Sequence, residues 1–315
     1  MRVLVVGAGA IGGYFGGRLL EAGRDVSFLV RSRRAAQLAR TGLVIRSRLG
    51  DIDFSAPPTV TADALRQSFD LVLLSCKAYD LDDAMASVAP AVGPETVILP
   101  LLNGMRHLDA LEARFGDSHV LGGQCLISAA LDPDGRILHL SDTHSLSFGE
   151  RNGSRSARIE AIASMLSGAR FEARLSDAIL QEMWEKWVFI ATGAGITCLM
   201  RAAIGDIVAA GAADLAAALL DECTSIATAQ GFPPRPEFLA RTRPMFTAPG
   251  SPLTASMLRD IERGAPIEAN HILGDLLRRG GRNSQGGSLL NIAFRHAKAY
   301  EARRARNQAE TAKAA

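Results

Sequence analysis

Gly7-Ala8-Gly9-Ala10-Ile11-Gly12 follows directly on the apolar run Val3–Val6 and opens a stretch with helical spacing at residues 11–21. A strand that turns into a helix through three spaced glycines has few uses. Gly7 permits the tight turn, Gly9 lets another group approach the backbone, and Gly12 lets the helix pack closely on the strand. The amino end of the helix then presents N–H groups and the positive end of its dipole to phosphates. Gly7, Ala8, Gly9, Ala10, Ile11 and Gly12 are therefore the predicted cradle of a dinucleotide pyrophosphate. A glycine-rich turn that only packs helix on sheet is the bland alternative, and the surrounding βαβ pattern weighs against it. The same segment superficially resembles a secretory signal, with Arg2 ahead of an apolar run, but glycines at 7, 9, 12, 13, 16 and 17 make a poor apolar helix.

Strand-like runs at Arg2–Val6, 25–30, Leu43–Arg46, 69–75 and 96–102 alternate with helical spacing at 11–21, 33–40, 81–89 and 105–115. This alternation predicts a parallel, doubly wound sheet. Runs at 119–127, 136–140 and 145–148 lie closer together around Asp132-Pro133-Asp134-Gly135, as hairpin-like antiparallel edge strands do. From Arg155 the character becomes helical, with predicted helices at 172–189, 206–230, 252–263, 267–279 and 288–303 and connections at 231–236 and 279–287. At 315 residues two domains are expected. The division is placed at 1–168, an α/β Rossmann dinucleotide-binding domain, and 169–315, an all-α substrate domain.

The end of the second strand bears on the cofactor. An NAD site usually carries an acid there for the ribose 2′-hydroxyl. The chain instead reads Val30-Arg31-Ser32-Arg33-Arg34. Arg31, helped by Arg33 or Arg34, suits a 2′-phosphate, so NADP (NADPH) is the expected cofactor.

Composition narrows the partners. With 35 Lys and Arg against 33 Asp and Glu, no charge excess points to nucleic acid or a membrane surface. The apolar stretch 188–200 is too short for a bilayer and holds two glycines. Cys76, Cys125, Cys198 and Cys223 are scattered, which suggests neither a metal site nor disulfides and fits a cytoplasmic, reducing compartment. The apolar stripe of 206–230 suits a homodimer contact or, equally, the domain core.

Six matches point to a family. Gly7–Gly12, Ser75-Cys76-Lys77-Ala78-Tyr79, Leu102-Asn103-Gly104-Met105, Trp184-Glu185-Lys186, Ser256-Met257-Leu258-Arg259-Asp260 and Gly264-Ala265-Pro266-Ile267-Glu268 occur in one order along the chain. Together they resemble the ketopantoate reductase (2-dehydropantoate 2-reductase) family over nearly the full length. The resemblance implies a helical second domain of the 6-phosphogluconate dehydrogenase C-terminal-like type and NADPH-dependent reduction of a 2-oxo acid, with 2-dehydropantoate giving pantoate in pantothenate biosynthesis. It implies Lys186 as the acid for the developing alkoxide, with Asn103 and Glu268 completing the catalytic set. Lys77, Ala130, Asn103 and Glu268 would touch the cofactor, and Asn103, Lys186, Ile190, Ala194 and Ser256 would line the substrate. A lysine paired on the helix surface with Glu182 is the plain alternative for Lys186.

The substrate half departs from the family. Asparagines that usually follow the lysine at four and eight residues are here Ile190 and Ala194. Apolar groups at those positions cannot make the hydrogen bonds a polar substrate needs, so a more apolar 2-oxo acid or ketone is an alternative substrate. A dehydrogenase of the 6-phosphogluconate or 3-hydroxyacyl-CoA type would lack the Lys77, Asn103 and Lys186 set. A catalytically silent NADP(H)-binding sensor is the rival of a different class.

Overall fold

The computed structural model describes residues 1–281 and 287–314; residues 282–286 of the expected 279–287 connection lie outside the described residues. Two compact units emerge, Met1–Leu102 with His107–Leu180, and Asn103–Arg106 with Gln181–Ala315. Residues 169–180, read from sequence as the start of the helical domain, belong to the first unit.

That unit runs β1 (Arg2–Val6), α1 (Ala10–Glu21), β2 (Asp25–Leu29), α2 (Ser32–Thr41), β3 (Leu43–Arg46), β4 (Ile52–Phe54), β5 (Thr59–Val60), β6 (Leu71–Leu74), α3 (Leu81–Val88), β7 (Val97–Pro100), α4 (Arg106–Phe115), β8 (Gly122–Leu131), β9 (Ile137–Gly149), α5 (Ala157–Leu166) and β10 (Glu172–Leu175). A parallel sheet has the order β5-β2-β1-β6-β7. β6 and β7 are buried along their length and β1 beyond Arg2, which is why they read as unbroken apolar runs rather than alternating ones. A second sheet has the order β10-β9-β3-β4, with β8 antiparallel to β9.

Glycine explains how α1 fits against both sheets. Gly12 and Gly16 face the parallel sheet: a Cβ on Gly12 would overlap Ser75 and the Gly7 carbonyl, and one on Gly16 would lie 2.5 Å from the Phe28 ring. Gly13 and Gly17, one residue on, face the second sheet, where a Cβ would press into Ile137 and Ile45. Residues four apart share a helix face, so two glycine stripes let two sheets close on one helix.

Three expectations need correction. Leu43–Arg46 leaves the parallel sheet and pairs with β4 and β9 in the second. The place beside β2 goes to β5, a strand too short and too close to Pro57 and Pro58 to show in the sequence; Phe28 N–H donates to Pro58 O at 2.8 Å. The hairpin β8–β9 likewise forms the second sheet rather than the edge of the first; Gly123 packs against Leu99 and Pro100 of β7, and Val120, just ahead of β8, bridges to Ile98. Residues 172–175, expected to be helical, form β10 parallel to β9, and α6 begins after the turn at Ser176. Pairing with a distant strand overrode the local helical spacing.

Among the described residues the second unit holds helices and no strand: α6 (Ile179–Met200), α7 (Ile204–Ala209), α8 (Ala213–Ala229), α9 (Pro236–Thr247), α10 (Ser256–Glu262), a π-helical turn Asn270–Gly274, α11 (Asp275–Arg279) and α12 (Leu289–Ala314). The helix expected over 206–230 is two helices. Gly211, at φ +80°, ends α7 with its N–H on Val208 O and the Ala212 N–H on Ile207 O, a left-handed cap that an L side chain strains to adopt. The apolar stripe of α8, including Leu219, Leu220, Cys223 and Ile226, is buried in this unit. Among the described residues the four cysteines form no disulfide, and no helix is long and apolar enough to cross a membrane.

Candidate functional site

The first unit carries the glycine cradle at the carboxyl end of β1. Gly7 turns at φ +92° and donates its N–H to Leu29 O at 2.9 Å, while Ser75 Oγ donates to Val6 O at 2.8 Å and closes the turn from the far side. Nothing lies within 4 Å of a Cβ built on Gly9. Open space at Gly9 and none at Gly12 is the division of labour a pyrophosphate cradle requires, and these residues fit a dinucleotide. In the sequence Ser75 is only one residue of a motif; its role in holding the loop depends on the fold.

The basic residues divide their tasks. Arg34 Nε donates to Ala8 O at 3.0 Å, and its Nη atoms donate to Gly135 O at 3.1 Å. It thereby ties the cradle to the turn between β8 and β9, and burial pulls its pKa down. Its fork is committed to carbonyls, so the expected help to Arg31 does not come from Arg34. Arg33 is exposed on α2 and Arg31 is exposed just before it. Lys77 is exposed and opens a tight turn in which its carbonyl accepts the Asp80 N–H at 2.9 Å. Ala130 lies on β8 opposite Leu138, near the turn that Arg34 holds.

The other candidates lie in the second unit. Asn103 is half-buried, Lys186, Ile190 and Glu268 are half-buried, Ala194 is buried, and Ser256 is exposed as the first residue of α10. Lys186, Ile190 and Ala194 share one face of α6, since the helix is continuous over 179–200. The neighbours of Lys186 anchor that helix. Glu185 is nearly sealed; burial would raise its carboxyl, but the Arg235 fork at 2.6 and 2.8 Å overrides this and holds it below the usual range. Trp187 is fully buried and donates Nε1–H to Ile272 O at 2.9 Å.

Ile272 belongs to the π-helical turn, which three elements reach. Gly264, at φ +66°, ends α10, and Pro266 prevents its resumption. The extended link that follows delivers Glu268, and α12 pins it through Tyr300 Oη to Ala265 O at 2.8 Å and Arg304 Nε to Gly264 O at 2.7 Å. On the turn itself, His271 hydrogen-bonds the Asn103 backbone carbonyl, and its ring would lie 3.1 Å from a Cβ on Gly104. One π turn thus bears on Asn103, on the helix of Lys186 and on the segment of Glu268. Such turns insert an extra residue into a helix and recur at functional sites. Neither Trp187 nor His271 was a candidate from sequence. Trp187 reads as ordinary core, and a lone histidine carries no signal.

Burial pushes the His271 ring pKa down, against the pull of Glu268, Asp275 and the Asn103 carbonyl and with that of Arg106. The folded protein therefore binds fewer protons there than the unfolded chain, whose histidine titrates near 6.5. The stabilisation is full above about pH 6.5 and is lost as pH falls through the lowered value. His144 and His296 shift in the same direction, again through burial first. The melting temperature should fall between pH 7 and pH 5, with a shallower slope in His271→Asn. An identical slope in the variant removes His271 from this account.

Comparisons with known proteins identify the family. Residues 3–153 match the family model Ketopantoate reductase PanE/ApbA, and residues 178–301 match Ketopantoate reductase PanE/ApbA C terminal. The uncharacterized oxidoreductase YkpB of Bacillus subtilis is 41% identical over 303 residues, 96% of this chain and 99% of that protein. The 2-dehydropantoate 2-reductase of Mesorhizobium japonicum is 28% identical over 87% of this chain and 89% of its own length. The crystal structure of 2-dehydropantoate 2-reductase from Methylococcus capsulatus superposes with a TM-score of 0.85 at 28% identity, covering 96% of this chain and 98% of that one. With both family models matched in order and the cradle built as a dinucleotide requires, the chain belongs to the ketopantoate reductase family and is an NAD(P)H-dependent oxidoreductase.

Proposed function

We propose that the chain reduces a 2-oxo acid to the 2-hydroxy acid with NADPH, and that 2-dehydropantoate, giving pantoate, is the first substrate to test. The observation that carries this reading is the π turn Asn270–Gly274, which bears on the Asn103 backbone, the helix of Lys186 and the segment of Glu268. A bound nicotinamide supplies the hydride to the carbonyl carbon. Lys186 holds an ammonium for the oxygen on which negative charge collects and delivers the proton to it. The Asn103 carboxamide orients that oxygen, Glu268 contacts the hydroxyl side and the cofactor, and Ser256 meets the carboxylate. Gly7–Gly12 hold the pyrophosphate, Lys77 lies by the nicotinamide ribose, Ala130 contacts the cofactor, and Arg31 holds the 2′-phosphate. The test is purified protein with 2-dehydropantoate and NADPH. Loss of absorbance at 340 nm is expected, and none at saturating substrate removes that substrate.

A second substrate reading rests on α6. Ile190 is half-buried and Ala194 is 1% exposed, on the face that carries Lys186. Neither can hydrogen-bond a substrate hydroxyl, so this face favours a 2-oxo acid with an apolar side chain. Higher kcat/KM for branched or aromatic 2-oxo acids than for 2-dehydropantoate supports it. NADPH binding without turnover of any of them points instead to a sensor.

A further inference from the structure

The cofactor residue Arg31 is already engaged. Its Nη2 donates to Asp80 Oδ1 at 2.8 Å and to Asp83 Oδ2 at 2.7 Å. Arg31 stands at the end of β2, and the two acids stand at the turn and first helical residues that follow β6. In the sheet β2 and β6 flank β1 on opposite sides. The bridge therefore crosses above the carboxyl end of β1, where the glycine cradle begins.

Helix chemistry alone does not account for it. Asp80, Asp82 and Asp83 all sit at the amino end of α3, where the dipole favours acids. Asp82 satisfies that preference without touching Arg31, whereas Asp80 and Asp83 converge on one nitrogen. Among the described residues the Nε and Nη1 side of the guanidinium has no hydrogen-bond partner, so half of the fork stays free for an anion while the other half is held. The contacts are also weak enough to exchange. The Arg31 side chain is 67% exposed and that of Asp83 64%, and exposed ion pairs of this kind are worth little.

We propose that Asp80 and Asp83 form a carboxylate latch on Arg31 that sets how strongly this chain prefers NADPH to NADH. The inference rests on Arg31 being the 2′-phosphate ligand. A 2′-phosphate arriving at Arg31 must displace or tolerate two carboxylates within a few ångströms, a cost that NADH, with a neutral 2′-hydroxyl, does not meet. The latch lowers discrimination while keeping Arg31 in place across the cradle.

Binding is measured directly, by nucleotide fluorescence with the purified full chain in low salt, so turnover is not needed. In the double variant D80N/D83N the Kd for NADPH should fall by about tenfold, with NADH changed by less than about twofold. D82N, which alters the same turn without touching Arg31, should leave the NADPH-to-NADH ratio of Kd values unchanged. In an R31A background the two asparagine changes should no longer tighten NADPH, which shows that the acids act through the arginine. An unchanged ratio in D80N/D83N overturns the latch, as does equal weakening of both nucleotides, which would make the acids ribose ligands. Should the double variant unfold, the single variants D80N and D83N carry the test, each shifting the ratio in the same direction. Failure of the underlying reading looks different: R31A would weaken NADPH and NADH equally.

Discussion

Replacing Lys186 with alanine should lower kcat by about two to four orders of magnitude, the usual range for a positioned acid, while the Kd for NADPH stays within about twofold. The expectation follows from where the residue is mounted. Lys186 lies midway along α6, half-buried, between Glu185 locked by Arg235 and Trp187 hydrogen-bonded to Ile272. Alanine is at least as good a helix former as lysine, so the backbone should keep its course and the loss should be chemical. Rapid-kinetic measurement of the hydride step, with thermal melting as a folding control, separates the two. A variant with near-normal kcat would show that the proton comes from another group and would demote Lys186 to a surface cation.

Gly12→Ala should damage both fold and cofactor binding, whereas Gly9→Ala should damage binding alone. A methyl at Gly12 overlaps the Gly7 carbonyl and Ser75 Oγ and lies 3.1 Å from Val5. The Gly7 oxygen is backbone and cannot swing away, so α1 must lift from β1. Overpacking of this kind costs about 1–3 kcal/mol, which in a protein of this size lowers Tm by roughly 1–5 °C. If the displaced helix end loses the same energy in binding, the Kd for NADPH rises by roughly 5- to 150-fold. A methyl at Gly9 meets no atom within 4 Å, so its Tm should match wild type while the Kd rises, because the methyl stands where the phosphates approach. Equal Tm values for Gly12→Ala and wild type would contradict the packing argument. Unchanged affinity in Gly9→Ala would move the pyrophosphate elsewhere.

Much of the first unit was legible. β1, the cradle, α1, β6 and β7 follow from apolar runs and glycine punctuation, which are local signals governed by sterics within a few residues. The alternation of exposure along β10 was present too, but it competed with helical spacing, and only β9 lying alongside decided the outcome. β5 had no readable signal at two residues between prolines and a loop. In the candidate site, motif residues such as Lys77, Asn103, Lys186 and Glu268 could be named from the chain. Their supports, Trp187, His271 and Ser75, could not, because each acts on a residue far away in sequence.

What the sequence by itself determined is the kind of protein: an α/β nucleotide-binding unit followed by helices, with a glycine cradle and the family's residues in order. Short-range sterics and hydrophobic period suffice for that. Only the tertiary structure decided that α1 needs glycine on two faces, that Leu43–Arg46 builds a second sheet, and that the π turn holds Asn103. It alone showed Arg34 spent on carbonyls and Arg31 bridged to Asp80 and Asp83. Each of these depends on which distant segments meet, and a guanidinium binds whichever oxygens the fold brings within reach.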